Sequence, residues 1–428
     1  MDLVSRDKQV IWHPYTQMQT ADPPLAITRG EGALLYDENG AAYIDAVSSW
    51  WVNIHGHCHP YIAQKIAEQV NQLDHVIFAG FTHEPAVDLA EKLLKILPIN
   101  QSKVFYSDNG STAVEVALKM ALQYWHNQDI PKTKIIAFQD SYHGDTFGAM
   151  SVSSRSVFTQ PFKPYLFEVL FMPVPVVGRE QEAIAQLQAY AAHNDVAAFI
   201  FEPLVLGTAG MVMYEPNVLD QLLQNCREHQ ILTIADEVMT GFGRTGRLFA
   251  CDYLTQEPDM VCLSKGITGG VMALGVTTCS QTIYQAFLSQ DARKTFFHGH
   301  SYTANPIACA AALASYDLLL QPETEENIKR IAAQHQEFSE QMQDGGFLKN
   351  MRQTGTILAM EFDNGQTSYF NQIRNLLYNF ALQHRVLLRP LGNIIYIMPP
   401  YCITNDQLEK VYAVIRKMKD LTLVNPEL

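Results

Sequence analysis

The chain has 428 residues, 30 of them basic and 44 acidic, and its net charge of -14 argues against nucleic acid or an anionic membrane as the main partner. No apolar run reaches the length of a membrane span, and the charged start, Met1 to Lys8, does not resemble a signal peptide. Seven cysteines without a C-x-x-C pair indicate reduced thiols rather than disulfides or zinc, so we expect a cytoplasmic protein without a metal.

The order of apolar runs predicts a large domain over residues 60–310. Short apolar runs alternate there with longer amphipathic segments, as in mainly parallel sheets joined by crossover helices. Five of these runs predict buried strands: Lys134 to Phe138, Ala197 to Val205, Ile231 to Val238, Met260 to Leu263 and Gly275 to Cys279. Ligands bind at the carboxyl ends of such strands, so we expect the site at that edge of the sheet.

The sequence after residue 310 predicts a smaller α+β domain, which residues 1–59 are expected to join. Its predicted elements are a helix over Pro322 to Gln343, a strand over Ile357 to Phe362, a helix near Tyr369 to His384, a β segment over Val386 to Met398, and a last helix capped by Thr404 with Gln407. The fold class is therefore α/β, with residues 60–310 as the large domain and 1–59 plus 311–428 as the small one.

Polar residues at three element ends are candidate binding residues. Gly110 and Ser111 stand where a strand gives way to an apolar helix, and free N–H groups at a helix start suit a phosphate, with ordinary capping as the alternative. Tyr142 follows a strand and is either a ring that stacks on a planar ligand or a core residue. Glu202 ends a buried strand, where a charge is more typical of a site than of packing.

Three other motifs have alternative readings. The stretch from Gly241 to Gly246 matches the dinucleotide pattern G-x-G-x-x-G, but Asp236 precedes it where negative charge disfavours a pyrophosphate. The three histidines in His55 to His59 lack a matched downstream set, so they predict a turn rather than a metal site. Trp50 and Trp51 lie in a loop-like stretch and indicate either core packing or the apolar wall of a pocket.

Lys265 and Asp236, which end two of the apolar runs, point to pyridoxal phosphate. A lysine in a partly apolar pocket has a lowered pKa and can form a Schiff base with the cofactor aldehyde. A carboxylate beside the pyridine nitrogen keeps that nitrogen protonated, so the ring accepts electrons when a substrate bond breaks. Alone, the pair is equally compatible with two ordinary strand ends.

Together these segments resemble the class III, or ω-aminotransferase, group of fold-type I pyridoxal phosphate enzymes, nearly end to end. The marks of the group are Asp236 to Val238, Gly241 to Gly246 and Ser264 to Gly266. The chain looks most like members that aminate 8-amino-7-oxononanoate in biotin biosynthesis, and the marks it shares with them are Ile11 to Thr16, Ser48 to Trp51, Tyr142 to Thr146, Arg389 with Pro390, and Ile395 to Tyr401. The resemblance implies a mainly parallel, seven-stranded-type sheet with a smaller α+β domain.

The resemblance also implies roles in cofactor binding. Lys265 forms the Schiff base with pyridoxal phosphate, Asp236 pairs with the pyridine nitrogen, and Tyr142 stacks on the ring. Gly110 and Ser111 hold the phosphate. In the family a hydroxyl from the neighbouring subunit also holds it, so the implied active unit is a homodimer with Ser301 at that position.

For substrates, the resemblance implies that Arg389 clamps a carboxylate, as a planar fork should. Tyr15, also a candidate catalytic residue, and Asp145 recognise the amino ketone. The remaining implied substrate-binding residues are Trp50, Tyr142 and Gly299. The roles of Arg244, as a pocket residue or a structural ion-pair partner, and of His300 stay open.

The implied reaction is a ping-pong transamination that yields 7,8-diaminononanoate with S-adenosylmethionine as the amino donor. Lysine is the alternative donor. Another ω-aminotransferase acting on ornithine or 4-aminobutyrate would share the cofactor residues but would not need Tyr15 with Asp145. An isomerase or decarboxylase of the same fold, and a binding protein without catalysis, are further alternatives.

Overall fold

The computed structural model describes residues 1–342, 346–363 and 373–424. The strands in chain order are β1 (Ile27–Glu31), β2 (Leu34–Asp37), β3 (Ala42–Asp45), β4 (Gln101–Ser107), β5 (Lys134–Phe138), β6 (Leu170–Met172), β7 (Val196–Phe201), β8 (Val205–Leu206), β9 (Val212–Met213), β10 (Leu232–Asp236), β11 (Met260–Leu263), β12 (Gly275–Ser280), β13 (Leu348–Thr354), β14 (Ile357–Phe362), β15 (Val386–Leu387) and β16 (Ile394–Ile397). The helices are α1 (Leu3–Val10), α2 (Ser48–Trp51), α3 (Pro60–Gln72), α4 (Glu84–Ile96), α5 (Gly110–Asn127), α6 (Phe147–Val152), α7 (Glu180–Ala191), α8 (Pro216–Glu228), α9 (Gln281–Gln285), α10 (Pro306–Leu319), α11 (Pro322–Met342), α12 (Ile373–Gln383), α13 (Asn405–Lys417) and α14 (Lys419–Val424).

A seven-stranded sheet in the order β4-β12-β11-β10-β7-β5-β6 forms the centre of the fold. Strands β7, β10, β11 and β12 are buried along their whole length, which explains why the sequences of β7 and β11 are continuous apolar runs. Strand β12 runs antiparallel to both of its neighbours, and the other six strands run parallel to one another. The predicted mainly parallel α/β sheet is therefore confirmed.

The direction of β12 follows from the length of chain before it. Only residues 264–274 separate β11 from β12. A parallel return needs a crossover of a dozen or more residues, usually a helix. The shorter segment turns the chain back, so β12 pairs antiparallel with β11 and the loop that carries Lys265 stays at the carboxyl edge of the sheet.

The two chain ends meet in smaller sheets. Strand β3, from the first 59 residues, pairs in parallel with β15 in the sheet β1-β2-β3-β15. Strands β13, β14 and β16 form a second, antiparallel sheet. This pairing supports a small domain built from 1–59 plus 311–428, although the boundaries at residues 60 and 310 stay a prediction.

Most predicted elements have the expected bounds, and the differences are local. The strands over Met260 to Leu263 and Ile357 to Phe362 are confirmed, as is the capping box at Thr404. The prediction of a single strand over Ala197 to Val205 was wrong. Strand β7 ends at Phe201, and β8 begins at Val205 in a separate sheet, after Leu204, whose φ is 66°.

The segment from Val386 to Met398 is likewise two short strands joined by a loop, not one. The predicted helices over Pro322 to Gln343 and Tyr369 to His384 are present as α11 and α12, and their residues 343 and 369–372 lie outside the described residues. Within the described ranges, no helix combines the length and apolar character needed to cross a membrane.

Candidate active site

A cavity of about 520 Å³ lies at the carboxyl edge of the central sheet. The ends of four strands and the start of α5 supply most of its walls. The polar residues that line it are Asp108, Asn109, Ser111, Tyr142, His143, Glu202, Asp236, Thr240, Ser264 and Lys265. The sheet topology therefore brings together the strand-end residues that the sequence singled out.

Lys265 enters the cavity from the loop after β11. Its backbone is left-handed, with φ of 49°, a conformation that non-glycine residues adopt at a cost of order 1 kcal/mol. Burial lowers the pKa of its amine to about 8, against the opposing effect of the carboxylates of Asp236 and Glu202. The amine nitrogen lies 4.7 Å from the centre of the Trp51 ring. At pH 7 about a tenth of an amine with this pKa is neutral, far more than for a lysine with its ordinary pKa, and the neutral form is the one that a nucleophile or base requires.

Asp236 ends β10 and is held by two hydrogen bonds. One carboxylate oxygen lies 2.7 Å from Nδ1 of His143, and the other accepts from the backbone N–H of Val238 at 3.1 Å. Each oxygen keeps a further lone pair for a donor in the cavity. The Nε2 atom of His143 is buried and has no hydrogen-bond partner among the described residues. The carboxylate is thus fixed in place before any ligand binds.

The start of α5 forms a cradle for an anion. Asn109 caps the helix and accepts from the backbone N–H of Thr112, and no described residue accepts from the N–H groups of Gly110 and Ser111. The 18-residue helix directs its positive end at this point. A Cβ atom on Gly144 would lie 2.1 Å from Oγ of Ser111, so a glycine is needed there for the cradle to close.

Glu202 fixes the backbone of Tyr142 beside the cavity. Its carboxylate accepts from the N–H of Tyr142 and from the N–H of Gly207, both at 2.9 Å. Burial raises the pKa of Glu202 to about 7, and Asp236 adds to the rise while His143 opposes it. Burial also raises the pKa of the Tyr142 hydroxyl, so this ring stays neutral. Glu202, directly after β7, therefore holds the backbone of Tyr142 and so positions its ring beside the cavity.

Five of the six predicted substrate residues, all except Gly299, lie together at the mouth of the cavity. The hydroxyl of Tyr15 donates to the carboxylate of Asp145 and lies 3.4 Å from the hydroxyl of Tyr142. The rings of Tyr15 and Trp50 meet edge to face, 5.5 Å apart, and the guanidinium of Arg389 lies 4.2 Å from the centre of the Trp50 ring. Residues from both chain ends thus form one surface of aromatic rings flanked by an anion and a cation.

Gly299 and Ser301 do not line this cavity. Both are exposed, in a segment where Phe297 is 72% and Tyr302 is 64% exposed. His300 lies 3.9 Å from Asp108 at the edge of the cavity. The described chain alone therefore does not bring the Ser301 hydroxyl into its own anion cradle.

Sequence reasoning missed the contact of His143 and left Trp51 open between core packing and the wall of a pocket. Trp51 lines the cavity beside Lys265, whereas Trp50 lies outside at the mouth, and nothing in the sequence distinguishes two adjacent tryptophans. The contact of His143 with Asp236 joins residues 93 positions apart. The position of His143 next to Tyr142, after the same strand, was the one available signal.

Arg244 has a structural position. It is 1% exposed and donates to the carbonyl oxygens of Pro399 at 2.8 Å and Trp51 at 3.4 Å. Its guanidinium also lies 5.2 Å from the centre of the Tyr401 ring. Among the described residues Arg244 makes no ion pair within 4.0 Å, and through these carbonyl contacts it ties the Trp51 backbone to the carboxyl-terminal part of the chain.

The histidines of residues 55–59 also have structural contacts. His55 lies 3.0 Å from the carbonyl oxygen of Ser315, and His57 lies 2.8 Å from Asp45. Across residues 1–342, 346–363 and 373–424, no group of three His, Cys, Asp or Glu side chains is arranged to hold a metal ion.

Comparison with known proteins identifies the family. The family model described as Aminotransferase class-III matches residues 15–418. The chain belongs to the class III aminotransferase family. The adenosylmethionine-8-amino-7-oxononanoate aminotransferase of Synechococcus elongatus is 48% identical to this class III aminotransferase over 418 residues, which cover 96% of this chain and 98% of the relative.

Solved structures agree with this membership of the class III aminotransferases. The adenosylmethionine-8-amino-7-oxononanoate aminotransferase of Methanocaldococcus jannaschii has a TM-score of 0.92 at 35% identity, covering 97% of this chain and 98% of that chain. An amine transaminase from an uncultivated Pseudomonas species, solved in its PLP-bound form, has a TM-score of 0.89 at 30% identity, covering 95% and 97%. The predicted fold-type I architecture is confirmed.

The cavity fits pyridoxal phosphate, the cofactor of class III aminotransferases. The anion cradle at Gly110 and Ser111 matches the phosphate, and the fixed carboxylate of Asp236 matches a ring N–H. Lys265 supplies an amine of lowered pKa in the same cavity. The volume of about 520 Å³ lies within the range of pockets for small organic ligands.

Proposed function

We propose that this class III aminotransferase transfers an amino group to 8-amino-7-oxononanoate and forms 7,8-diaminononanoate in biotin biosynthesis, with S-adenosylmethionine as the donor. The observation that carries the proposal is the contact of Tyr15 with Asp145 beside Tyr142 at the cavity mouth. The acceptor carries an ammonium next to its ketone, and a carboxylate held by a phenol is a suitable partner for that ammonium. Relatives named for this reaction match the chain nearly end to end.

Five residues are proposed to hold the cofactor within this chain. The N–H groups of Gly110 and Ser111 would bind the phosphate, Tyr142 would lie against the ring, and Asp236 would accept from the ring N–H. Lys265 would supply the amine that condenses with the cofactor aldehyde, with loss of water. When bound, pyridoxal phosphate supplies an electron sink for breaking a bond at the amine-bearing carbon of the substrate.

Lys265 is also proposed to move the proton. Its neutral amine takes a proton from the amine-bearing carbon of the donor. The resulting ammonium then donates this proton to the carbon of the cofactor that receives the amino group. The lowered pKa favours this role, since it raises the fraction of the amine that is neutral and can accept a proton. The ring of Trp51, 4.7 Å from the nitrogen, limits the approach of water on that side.

The acceptor is proposed to lie between two charges. Asp145, held by Tyr15, faces its ammonium, and Arg389 faces its carboxylate. Arg389 stacks on Trp50 and makes no ion pair with a carboxylate among the residues that the structure describes, so its guanidinium fork is available to a substrate. Trp50 and Tyr142 contact the alkyl chain between these two ends.

A homodimer in the cytoplasm completes the proposal. Ser301 is exposed outside the cavity of its own chain, and the exposed rings of Phe297 and Tyr302 flank it, as expected for a segment covered by a second subunit. In the dimer Ser301 and Gly299 would reach the site of the partner. The seven cysteines are all free thiols, which a reducing compartment preserves.

The proposal is tested with half-reactions. S-adenosylmethionine alone and lysine alone are added to separate samples of purified protein while the absorbance of the bound cofactor is followed. Bleaching by S-adenosylmethionine, and recovery on adding 8-amino-7-oxononanoate, supports the reaction and the donor. Bleaching by lysine only would change the donor, and bleaching by neither would contradict the proposal.

Two variants test the proposed roles of Lys265 and Asp145 in the same assay. Lys265→Ala should abolish bleaching and turnover. Asp145→Asn should bleach normally with the donor but recover about tenfold or more slowly with the acceptor, the scale of one lost ion pair in a partly closed site. The surface variant Asp195→Asn, whose carboxylate pairs with Lys134 at the opposite edge of the sheet, is the matched control.

A further inference from the structure

The segment that carries the two tryptophans includes the short α2, whose backbone is not helical at Ser49 and Trp50, so we describe it as a loop. In the tryptophan loop, defined as residues 47–53, Ser48, Ser49 and Trp51 have φ of 50°, 59° and 67°. Each left-handed non-glycine residue costs of order 1 kcal/mol, so the loop holds this shape only where other contacts fix it. The side chain of Asp45 makes three such contacts.

Asp45 ends β3 just before the loop and is fully buried. Its Oδ2 atom accepts from the backbone N–H of Ser49 at 2.7 Å and from the Ser49 hydroxyl at 3.2 Å. Its Oδ1 atom accepts from the N–H of Val47 at 3.2 Å. A carboxylate with several donors is a strong acceptor, so these bonds stabilise the left-handed turn at Ser49.

His57 links Asp45 to the other end of the loop. Its Nε2 atom lies 2.8 Å from Oδ2 of Asp45, and its Nδ1 atom lies 2.9 Å from the side-chain nitrogen of Asn53. Because the amide of Asn53 donates, Nδ1 accepts and Nε2 donates to the carboxylate. The chain of bonds from Asp45 through His57 to Asn53 therefore closes the tryptophan loop at both ends.

The backbone around His57 is fixed as well. His57 donates its N–H to the carbonyl oxygen of Gly32 at 2.7 Å and accepts from the Gly32 N–H at 3.2 Å. A Cβ atom on Gly30 would lie 2.8 Å from Cβ of His57, so the first strand approaches this residue closely. The backbone that carries the imidazole is thus held by residues 30–32, in addition to the bond of the imidazole to Asp45.

The tryptophan loop in turn shapes the site. Trp51 faces Lys265 and donates its indole N–H to the hydroxyl of Tyr396 at 2.9 Å. Trp50 contacts Tyr15 and stacks under Arg389. A change of backbone at Ser49 would move both rings, while Asp45 and His57 themselves lie outside the set of residues that line the cavity.

We propose that Asp45 and His57 are positioning residues that set the place of Trp50 and Trp51 and thereby the fit of the substrate in the site. The inference rests on the proposed function for the identity of that substrate. Neither residue touches the reacting atoms. Their loss loosens the aromatic wall and leaves the cofactor residues on the central sheet in place.

The first experiment needs no substrate. The protein holds four tryptophans, and incorporation of 5-fluorotryptophan gives one fluorine resonance for each. In Asp45→Asn the resonances assigned to Trp50 and Trp51 should shift or broaden, while that of Trp125, a buried residue of α5 that donates to the carbonyl oxygen of Ala197, stays unchanged. Asp195→Asn is the matched control. Unchanged Trp50 and Trp51 resonances in Asp45→Asn, or equal changes in the control, would overturn the proposal.

The second experiment measures kinetics on the holoenzyme. In Asp45→Asn and in the milder His57→Gln, the KM for 8-amino-7-oxononanoate should rise about tenfold while kcat falls less than about threefold, because the wall is misplaced and the chemistry is not. Equal losses in kcat with KM unchanged would contradict a positioning role. If Asp45→Asn does not fold, His57→Gln decides. If the wild type fails to aminate this acceptor, the proposed function fails, and the fluorine spectra still decide the positioning role.

Discussion

His143 Nδ1 and a carboxylate oxygen of Asp236 lie 2.7 Å apart, and both side chains are buried. This contact fixes the carboxylate that faces the proposed ring nitrogen. His143→Leu should weaken cofactor binding about tenfold or more, the scale of one hydrogen bond to a charged group. His143→Asn keeps an N–H near the position of Nδ1 and should lose less. Titration of each variant with cofactor measures the difference, and equal losses would show that only packing is involved.

The pH dependence of the donor half-reaction should follow Lys265. Once the donor has displaced it from the cofactor, the free amine of Lys265 is protonated below its pKa of about 8 and neutral above it, so the rate of proton transfer should rise with pH and level off above about 8. The carboxylate of Glu202 raises this pKa, so Glu202→Gln should move the midpoint to lower pH. The profile of Asp195→Asn should match the wild type. A midpoint in Glu202→Gln that stays or rises would contradict the electrostatic coupling.

The requirement for a glycine at the start of α5 can be tested with two substitutions, the second of which removes the clash that the first creates. A Cβ atom on Gly110 would lie 2.7 Å from a methyl carbon of Val238, so Gly110→Ala should displace the anion cradle. We expect cofactor affinity to fall about tenfold, the scale of a mild overpacking strain. Adding Val238→Ala should restore most of the affinity. If the double variant is no better, the glycine is required for a reason other than this contact.

Glu237 should make the fold less stable as pH rises. It is fully buried, accepts from the Thr240 hydroxyl at 2.5 Å and from the N–H of Cys251 at 2.7 Å, and burial raises its pKa from 4.5 to about 7. Between these values the folded protein holds a proton that the unfolded chain has released. Stability from this group is therefore full below pH 4.5 and lost as pH rises through about 7.

Glu237→Gln should flatten that dependence. Between pH 5 and pH 8 the wild type should lose more free energy of unfolding than the variant does. The difference between the two losses should be on the order of 2 kcal/mol, as a pKa shift of this size implies. Denaturant unfolding at both pH values measures the change. Identical pH slopes for the two proteins would show that Glu237 is not the titrating group.

Much of the candidate site could be predicted from the positions at which apolar runs end in the sequence. Lys265 and Asp236 could be predicted because a buried strand reads as a continuous apolar run and its carboxyl end points to the ligand edge. The direction of β12 was not predicted, although the short segment 264–274 carried the signal. The choice of Trp51 over Trp50 depends on left-handed residues at Ser49 and Trp51, which local sequence does not specify.

The antiparallel strand β12 also bears on when the site can form during synthesis. Within the sheet β4 is hydrogen-bonded to β12 and to no other described strand. Strand β4, which leads into the cradle, is therefore hydrogen-bonded to the sheet only after residue 280 has left the ribosome, long after Gly110 has been made. A nascent chain stopped before β12 would have β4 without its partner, so loading of the cofactor must be a late, whole-domain event.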